Sequence, residues 1–316
     1  DRLERIAYNA LPATFSPDMW THQYDQQVNQ VECSIQEHSI FSTNSGSSHI
    51  FGLEPNFGCC TANLSQPWPK FALSTFMRNE DGLAAVAYAP CTINTCIKGV
   101  NVTLELNTGY PFRQELNFKV RTDQKVNFAI YLRIPQWADN AVISISNREI
   151  NPGAGEFYEL RQDWDGENTF KLHLPMKPEL VSRSNNLYAI IRGPLVYSLS
   201  PGERWVRINN EKPYHEYPCY DYEIYPTTAW NYGLCLDKDN PESSLTFEER
   251  QIEECPFSPE GAPIIAYTWG KKLDWSKKNG AALPSPEMKW MSDEKEKLKL
   301  IPYGCTNLRM TEMPSV

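Results

Sequence analysis

The sequence predicts an α+β, multidomain chain that is mostly β, and three observations carry that prediction. Apolar residues fall at helical spacing near the front, at Leu3, Ile6, Ala7, Ala10 and Leu11, and again from about Thr61 to Met77. From Leu83 to Ser200 the period switches to two, as in Val102-Thr103-Leu104-Glu105-Leu106 and Phe170-Lys171-Leu172-His173-Leu174, the pattern of half-buried antiparallel strands. Beyond Pro201, prolines at 218, 226, 241, 256, 259 and 263 cut the chain into short pieces with only scattered strand signals.

Taken in order, the front helix ends at Pro12, which cannot continue the backbone ladder. A run dense in amides and aromatics follows: Trp20, His22, Tyr24, Asp25, Gln26, Gln27, Asn29 and Gln30, with no Gly or Pro to break it. It reads as a strand or extended loop lining a polar cleft. Ser42 to Ser48 is a Ser/Asn/Gly loop, and Pro67 and Pro69 kink or restart the second helical stretch. After Asp81-Gly82 strands are expected at Leu83–Tyr88, Val100–Leu106, Val126–Ile134, Val142–Ile145, Thr169–Leu174 and Leu187–Leu199, spaced as in a sandwich. The tail retains strand signals at Tyr220–Ile224, Ile264–Trp269 and Leu298–Tyr303. Three domains follow from these shifts: 1–81, 82–200 and a smaller loop-rich β domain over 201–316.

Composition narrows the partners. The 316 residues are 41% apolar and 22% charged, which supports a sizeable core and excludes disorder. A formal charge of −9 disfavours nucleic acid and anionic membranes, since both reward a basic face. No apolar run approaches the roughly 20 residues of a membrane span. The chain opens on Asp1 within a helical pattern and without an initiator Met, so it is expected to be the later part of a longer protein.

Nine cysteines, odd in number and unevenly spaced, argue against a disulfide scaffold, although Cys91 and Cys96 would close a small loop in an oxidising compartment. Asn63-Leu64-Ser65 and Asn101-Val102-Thr103 match the glycosylation acceptor pattern, the first of them overlapping the cysteine motif. The compartment is not set by these features. Cys59 and Cys60 carry the most chemistry. The peptide between vicinal cysteines resists an unstrained disulfide, while two adjacent thiolates suit one soft metal ion, or one nucleophile beside one ligand. The plain alternative is a pair of buried small apolar side chains.

The run Asn56-Phe57-Gly58-Cys59-Cys60-Thr61-Ala62-Asn63, followed by Gln66-Pro67-Trp68-Pro69-Lys70, resembles the vicinal-cysteine segment of the β-L-arabinofuranosidase-like glycoside hydrolases of family 127. Leu3 to Asn9, His22 to Gln30 and Leu300 to Arg309 also resemble one branch of that group. The resemblance implies an (α/α)6 barrel holding the active site, followed by β-sandwich domains, with residues 1–81 as the last part of the barrel. It implies zinc as the cofactor, held by a Glu-x-Cys pair and both vicinal cysteines. Carried over position by position, Cys59 becomes the nucleophile and a zinc ligand, and Cys60 a zinc ligand. The implied activity is retaining, exo-acting hydrolysis of a terminal sugar, with an arabinose-containing glycan or glycoconjugate as partner and an upstream glutamate as acid/base.

The chain departs from the pattern in two places. The acid/base glutamate and the Glu-x-Cys ligands are expected before Asp1, so this chain alone is not expected to turn over substrate. Glu253-Glu254-Cys255 supplies the letters Glu-x-Cys, but in the loop-rich tail. Thr61-Ala62 stands where many relatives have prolines. Among other candidates, His22, Tyr24, Gln26 and Gln27 either bind sugar hydroxyls or satisfy buried backbone at a loop. Trp68 either stacks on sugar or wedges between its flanking prolines. Glu54 is the carboxylate nearest in sequence to the cysteines, and either a loop residue before Pro55 or an acid/base group. His38, His49, His173 and His215 lack paired metal-ligand spacing. The reading from a different class is a non-catalytic carbohydrate-binding or structural β-module with inert cysteines.

Overall fold

A computed structural model describes residues 1–38, 41, 44–53, 58–213, 215–284 and 289–315. The chain is mostly β, and it divides into two compact units, one of Asp1–Arg5 with Gln66–Lys177 and the other of Ile6–Ser65 with Pro178–Val316. These boundaries differ from the segments expected at 81/82 and 200/201. Among the described residues no helix is long and apolar enough to cross a membrane.

The first unit is organised by two long strands, Glu115–Arg133 and Phe157–His173, paired antiparallel along their length. Their register shifts between Trp164 and Gly166, and Gly166 takes a left-handed φ of 60° there, a conformation glycine adopts without steric cost. On one side of this irregularity Glu115–Arg133 pairs with Val100–Thr108, and on the other it pairs in parallel with Gly82–Ala85. Alternate side chains fill the interior. Phe118 stacks on Phe170 with centroids 4.5 Å apart, and the buried Trp164 donates Nε1–H to Phe128 O at 3.1 Å.

Cys91–Ile97 is a strand and not a closed loop, which corrects the expected Cys91–Cys96 linkage. Five steps of strand at about 3.3 Å each separate the two Cα atoms by about 16 Å, well past the roughly 7 Å a disulfide spans, and both thiols are free. The turn lies at Lys98-Gly99, where both residues take positive φ, 50° and 81°.

The front of the chain is tied to this unit by one buried carboxylate. Glu4, in the helical turn Arg2–Arg5, accepts from Tyr88 N at 2.9 Å and Tyr110 Oη at 2.7 Å, and pairs with Arg133 at 2.5 Å. Arg133 also reaches Asp1 at 2.6 Å.

The second unit holds two main sheets. One orders His22–Gln23, Phe51–Gly52, Asp221–Pro226 and Glu203–Ile208 as neighbours, and the other is built on Leu187–Arg192, Leu195–Leu199, Glu296–Pro302 and Ile264–Lys272. Cys33, Phe51, Ile224 and Leu308 form a buried cluster under the first sheet, with Trp205 and Tyr222 packed against it. Gly52 is required by close approach, since a Cβ there would stand 2.2 Å from Asp221 Oδ1. The helical periodicity read in the front 81 residues resolves into short pieces: Arg2–Arg5, a π-turn at Ile6–Ala10, Gly58–Leu64 and Pro67–Leu73, the last restarting at Pro67 as expected.

Candidate active site

The cysteines occupy the first turn of the helix Gly58–Leu64. Asn63 Nδ2 donates to Cys59 O at 2.6 Å, and Thr61 Oγ1 donates to Leu53 O at 2.8 Å, which fixes the helix beside the strand Phe51–Gly52. Cys59 is exposed and Cys60 half-buried, so they are not the buried apolar pair of the plain alternative. Their Sγ atoms stand 3.9 Å apart without a bond. Two thiolates on one tetrahedral zinc, each about 2.3 Å from the metal, stand about 3.8 Å apart, so the pair fits zinc. Among the described residues no group of three or more His, Cys, Asp or Glu side chains is assembled as a metal site. The fit therefore concerns two ligands.

The electrostatics around the pair are those of acids crowding one another. Burial pushes the Cys60 thiol up, and the hydrogen bond and charge of Cys59, then the charge of Asp25, push the same way. Cys60 above all, then burial, Cys59 and Asp25, hold the Tyr24 phenol above its ordinary range. Asp25 is anchored by its N–H to Ser48 O at 2.9 Å and accepts from Asn44 Nδ2 at 2.6 Å.

The polar run behind the cysteines divides by role. His22 Nε2 stands 3.4 Å from Thr61 Oγ1, which ties the strand His22–Gln23 to the cysteine helix, and burial lowers its pKa. The Thr61 hydroxyl, already donating to Leu53 O, is left to accept from that ring. Gln27 Nε2 lies 2.9 Å from Nε2 of the buried His49. Gln26 is committed to the fold: its amide donates to Ala10 O and Thr14 Oγ1, and its carbonyl accepts from Tyr303 Oη at 3.0 Å. Trp68 belongs to the first unit, where it meets Phe71 edge-on at 6.1 Å. Glu54, with Pro55, Asn56 and Phe57 of the motif, lies outside the described residues. Cys255 is exposed, His173 pairs with Glu115, and His215 faces Asp221 at 3.5 Å.

Asn29 and Gln30 of the polar run build a floor with Gln23, Arg309 and a hairpin to which the sequence reading gave no role. Gln23 and Gln30 exchange side-chain amides at 3.0 and 3.1 Å; Gln23 also donates to His49 O, and Gln30 to Asn307 O. The fully buried Arg309 donates to Gln27 O, Thr306 O and Asn307 O and lies over the Tyr303 ring. Asn29 Oδ1 accepts from Thr311 N and Glu312 N. The hairpin Lys277–Lys278 with Ala281–Ala282 turns at Asn279-Gly280, both at positive φ, and Gly280 O accepts from Val31 N and Glu32 N. The signal for this floor was the concentration of amides itself, which serves a buried backbone as well as a ligand.

An exposed thiol pair with zinc spacing thus stands on a mostly β chain. Residues 82–176 match the family model of the β-L-arabinofuranosidase GH127 middle domain. The fold over 99% of the chain is similar to a GH127 β-L-arabinofuranosidase from Geobacillus stearothermophilus T6, with TM-score 0.67 at 18% identity. It is similar over the same share to a structure described as a glycoside hydrolase, with TM-score 0.69 at 17% identity, and to the GH127 β-arabinofuranosidase BT3674, with TM-score 0.64 at 16% identity. The chain spans less than half of those proteins, 45%, 48% and 45% respectively. No curated protein sequence matches it. The family model thus supports the resemblance over residues 82–176, and the solved structures show a shared fold.

Proposed function

We propose that this chain is part of a retaining glycoside hydrolase that removes a terminal sugar, L-arabinofuranose by analogy with the proteins it resembles, with Cys59 as nucleophile. The observation that carries the reading is the exposed Cys59–Cys60 pair at 3.9 Å, within a fold shared with β-L-arabinofuranosidases. In this reading residues 1–81 contribute to an (α/α)6 barrel and the remainder forms β-sandwich domains.

The Cys59 sulfur attacks the anomeric carbon as the bond to the leaving oxygen breaks, giving a glycosyl thioether, and the leaving oxygen takes a proton from a carboxylic acid. Water, deprotonated by the same group, then displaces Cys59 and retains the configuration. Zinc held by Cys59 and Cys60 would favour thiolate over thiol at neutral pH. Such a cation would offset the crowding that pushes Cys60 up. Tyr24, its phenol kept protonated, would offer a hydroxyl donor beside the sulfurs, and His22 would hold the helix through Thr61.

The test is zinc content and aryl β-L-arabinofuranoside hydrolysis by the enzyme carrying this chain, beside Cys59→Ser and Cys60→Ser. Stoichiometric zinc, with hydrolysis lost in Cys59→Ser, is expected. Hydrolysis unchanged by Cys59→Ser would favour the non-catalytic module.

A further inference from the structure

In the second unit, the sheet built on Ile264–Lys272 and Glu296–Pro302 carries a cleft that the cysteine chemistry does not use. Its volume is about 540 Å³, in the range of small-ligand clefts, and Ser243, Ser244, Tyr267, Trp269, Lys295 and Lys297 are in its lining. The strand period places the rings there: Tyr267 and Trp269 alternate with the buried Ala266, Thr268 and Gly270, and Trp269 is 51% exposed. The register sets Lys297 opposite Trp269, and the Lys297 ammonium lies 4.5 Å from the Tyr267 ring centroid. The short helical turn Pro241–Ser244 is tied to the same strand, where Thr268 Oγ1 donates to Ser244 O at 2.9 Å.

The polar groups of the cleft suit an anion that also carries hydroxyls. Among the described residues Lys295 and Lys297 make no ion pair, and two neighbouring carboxylates are engaged elsewhere. Glu248 accepts from Arg250 Nε at 2.7 Å and Tyr267 Oη at 3.0 Å, and Glu296 from Lys272 Nζ at 2.6 Å and Tyr232 Oη at 2.8 Å. Two ammonium groups are thus left without a counter-charge on a chain of net charge −9. Ser244 Oγ accepts from Asp237 N at 2.8 Å and keeps its proton to donate, whereas Ser243 Oγ donates to Asn240 O at 2.7 Å and keeps lone pairs to accept. A sugar acid matches each group: its C–H face lies on Trp269, its carboxylate meets the ammonium groups, and its hydroxyls meet the serines. An acidic peptide would find no free strand edge, because Ile264–Lys272 is paired with Glu296–Pro302 on one side and with Thr246–Glu249 and Tyr232–Leu234 on the other.

We propose that Trp269, Tyr267, Lys295 and Lys297, with Ser243 and Ser244, form a binding site for a carboxylate-bearing sugar unit of an acidic glycan. The site does not rest on the hydrolase reading. It would hold its sugar without the thiols, so binding and cleavage are separable by mutation.

Isothermal titration calorimetry of the enzyme carrying this chain, with a galacturonate trimer, a neutral arabinofuranose trimer and ATP as probes, tests it. The galacturonate trimer is expected to bind, and to bind more weakly as salt rises. Its dissociation constant should rise about tenfold in Trp269→Ala and in Lys297→Ala, the scale of one lost ring contact or one lost charge-assisted bond. Trp269→Phe, which keeps a ring, should recover most of that affinity, which separates a lost contact from a damaged fold. No binding of the galacturonate trimer, or unchanged affinity in Trp269→Ala or Lys297→Ala, would overturn the proposal. Equally tight Trp269-dependent binding of the neutral trimer would overturn it too, as would tighter binding of ATP, which would make the cleft a nucleotide site. Cys59→Ser is expected to bind like the wild type; loss of binding there would place the binder at the cysteines and overturn the proposal. Hydrolysis absent from the enzyme while Trp269-dependent binding persists would sink the hydrolase reading and leave this site standing.

Discussion

Two clusters of acids in this protein are built in opposite ways. Glu4 is deeply buried, yet a backbone amide, a phenol and a guanidinium each meet its carboxylate. Cys59, Cys60, Tyr24 and Asp25 lie nearer solvent, and the influences on Cys60 and Tyr24 are burial and one another's charge. The first arrangement is complete within the chain and holds residues 1–5 in place. The second gathers acids whose protonated forms are favoured until a cation is present, which is how a site differs from a structural cluster.

The largest effect expected is on chemistry: Cys59→Ser should lower kcat of the enzyme by at least about 10⁴-fold, as loss of a nucleophile does. Next is Glu4→Ala, which leaves Arg133 with Asp1 alone and strips Tyr88 N–H and the Tyr110 hydroxyl of their acceptor, and should cost about 3 kcal/mol in urea unfolding, whereas Cys60→Ser should change stability by less than about 1 kcal/mol. A comparable cost for both would erase the contrast. Zinc at about 100 times its dissociation constant should stabilise the wild type by about 2.7 kcal/mol, and Cys60→Ser should lose most of that gain. Gln30→Ala, which takes the Gln30 donor from Gln23 Oε1 while Arg309 still serves Asn307 O and His49 O still accepts from Gln23, should cost about 1–2 kcal/mol. The smallest effect is pH dependence. Burial lowers His22 and His49 below the ordinary imidazole range, so the unfolded chain binds their protons first. Stability is therefore full above about pH 6.5 and falls as pH drops from there toward the folded pKa values. Urea midpoints at pH 7.5 and 5.5 should differ less in His49→Gln than in the wild type.

Much of the β architecture was legible because one buried face imposes alternation, as at Val102–Leu106 and Phe170–Leu174. The long strands were read as fragments where Thr122-Asp123-Gln124-Lys125 and Asp165-Gly166-Glu167 interrupt the apolar pattern, since solvent-exposed backbone can stay extended without burying side chains. At the site, the cysteine pair was legible from chemistry alone. The division of the amide run was not, because an amide that binds backbone and one that binds sugar are the same residue. Gln26 and Gln27, adjacent in sequence, show it: one is spent on Ala10, Thr14 and Tyr303, the other faces His49.

The floor beneath the cysteines joins residues far apart in synthesis. Gln30 reaches Asn307, 277 positions later, and Asn29 holds Glu312, 283 positions later. At about 5–20 residues per second, a ribosome needs tens of seconds to make that distance. Through that interval Asn29 waits for Thr311 and Glu312 and the Gln30 amide waits for Asn307, while Gln23 already has Gln30 and His49 within reach. The amide run is therefore begun locally and completed only when the last strands of this unit exist.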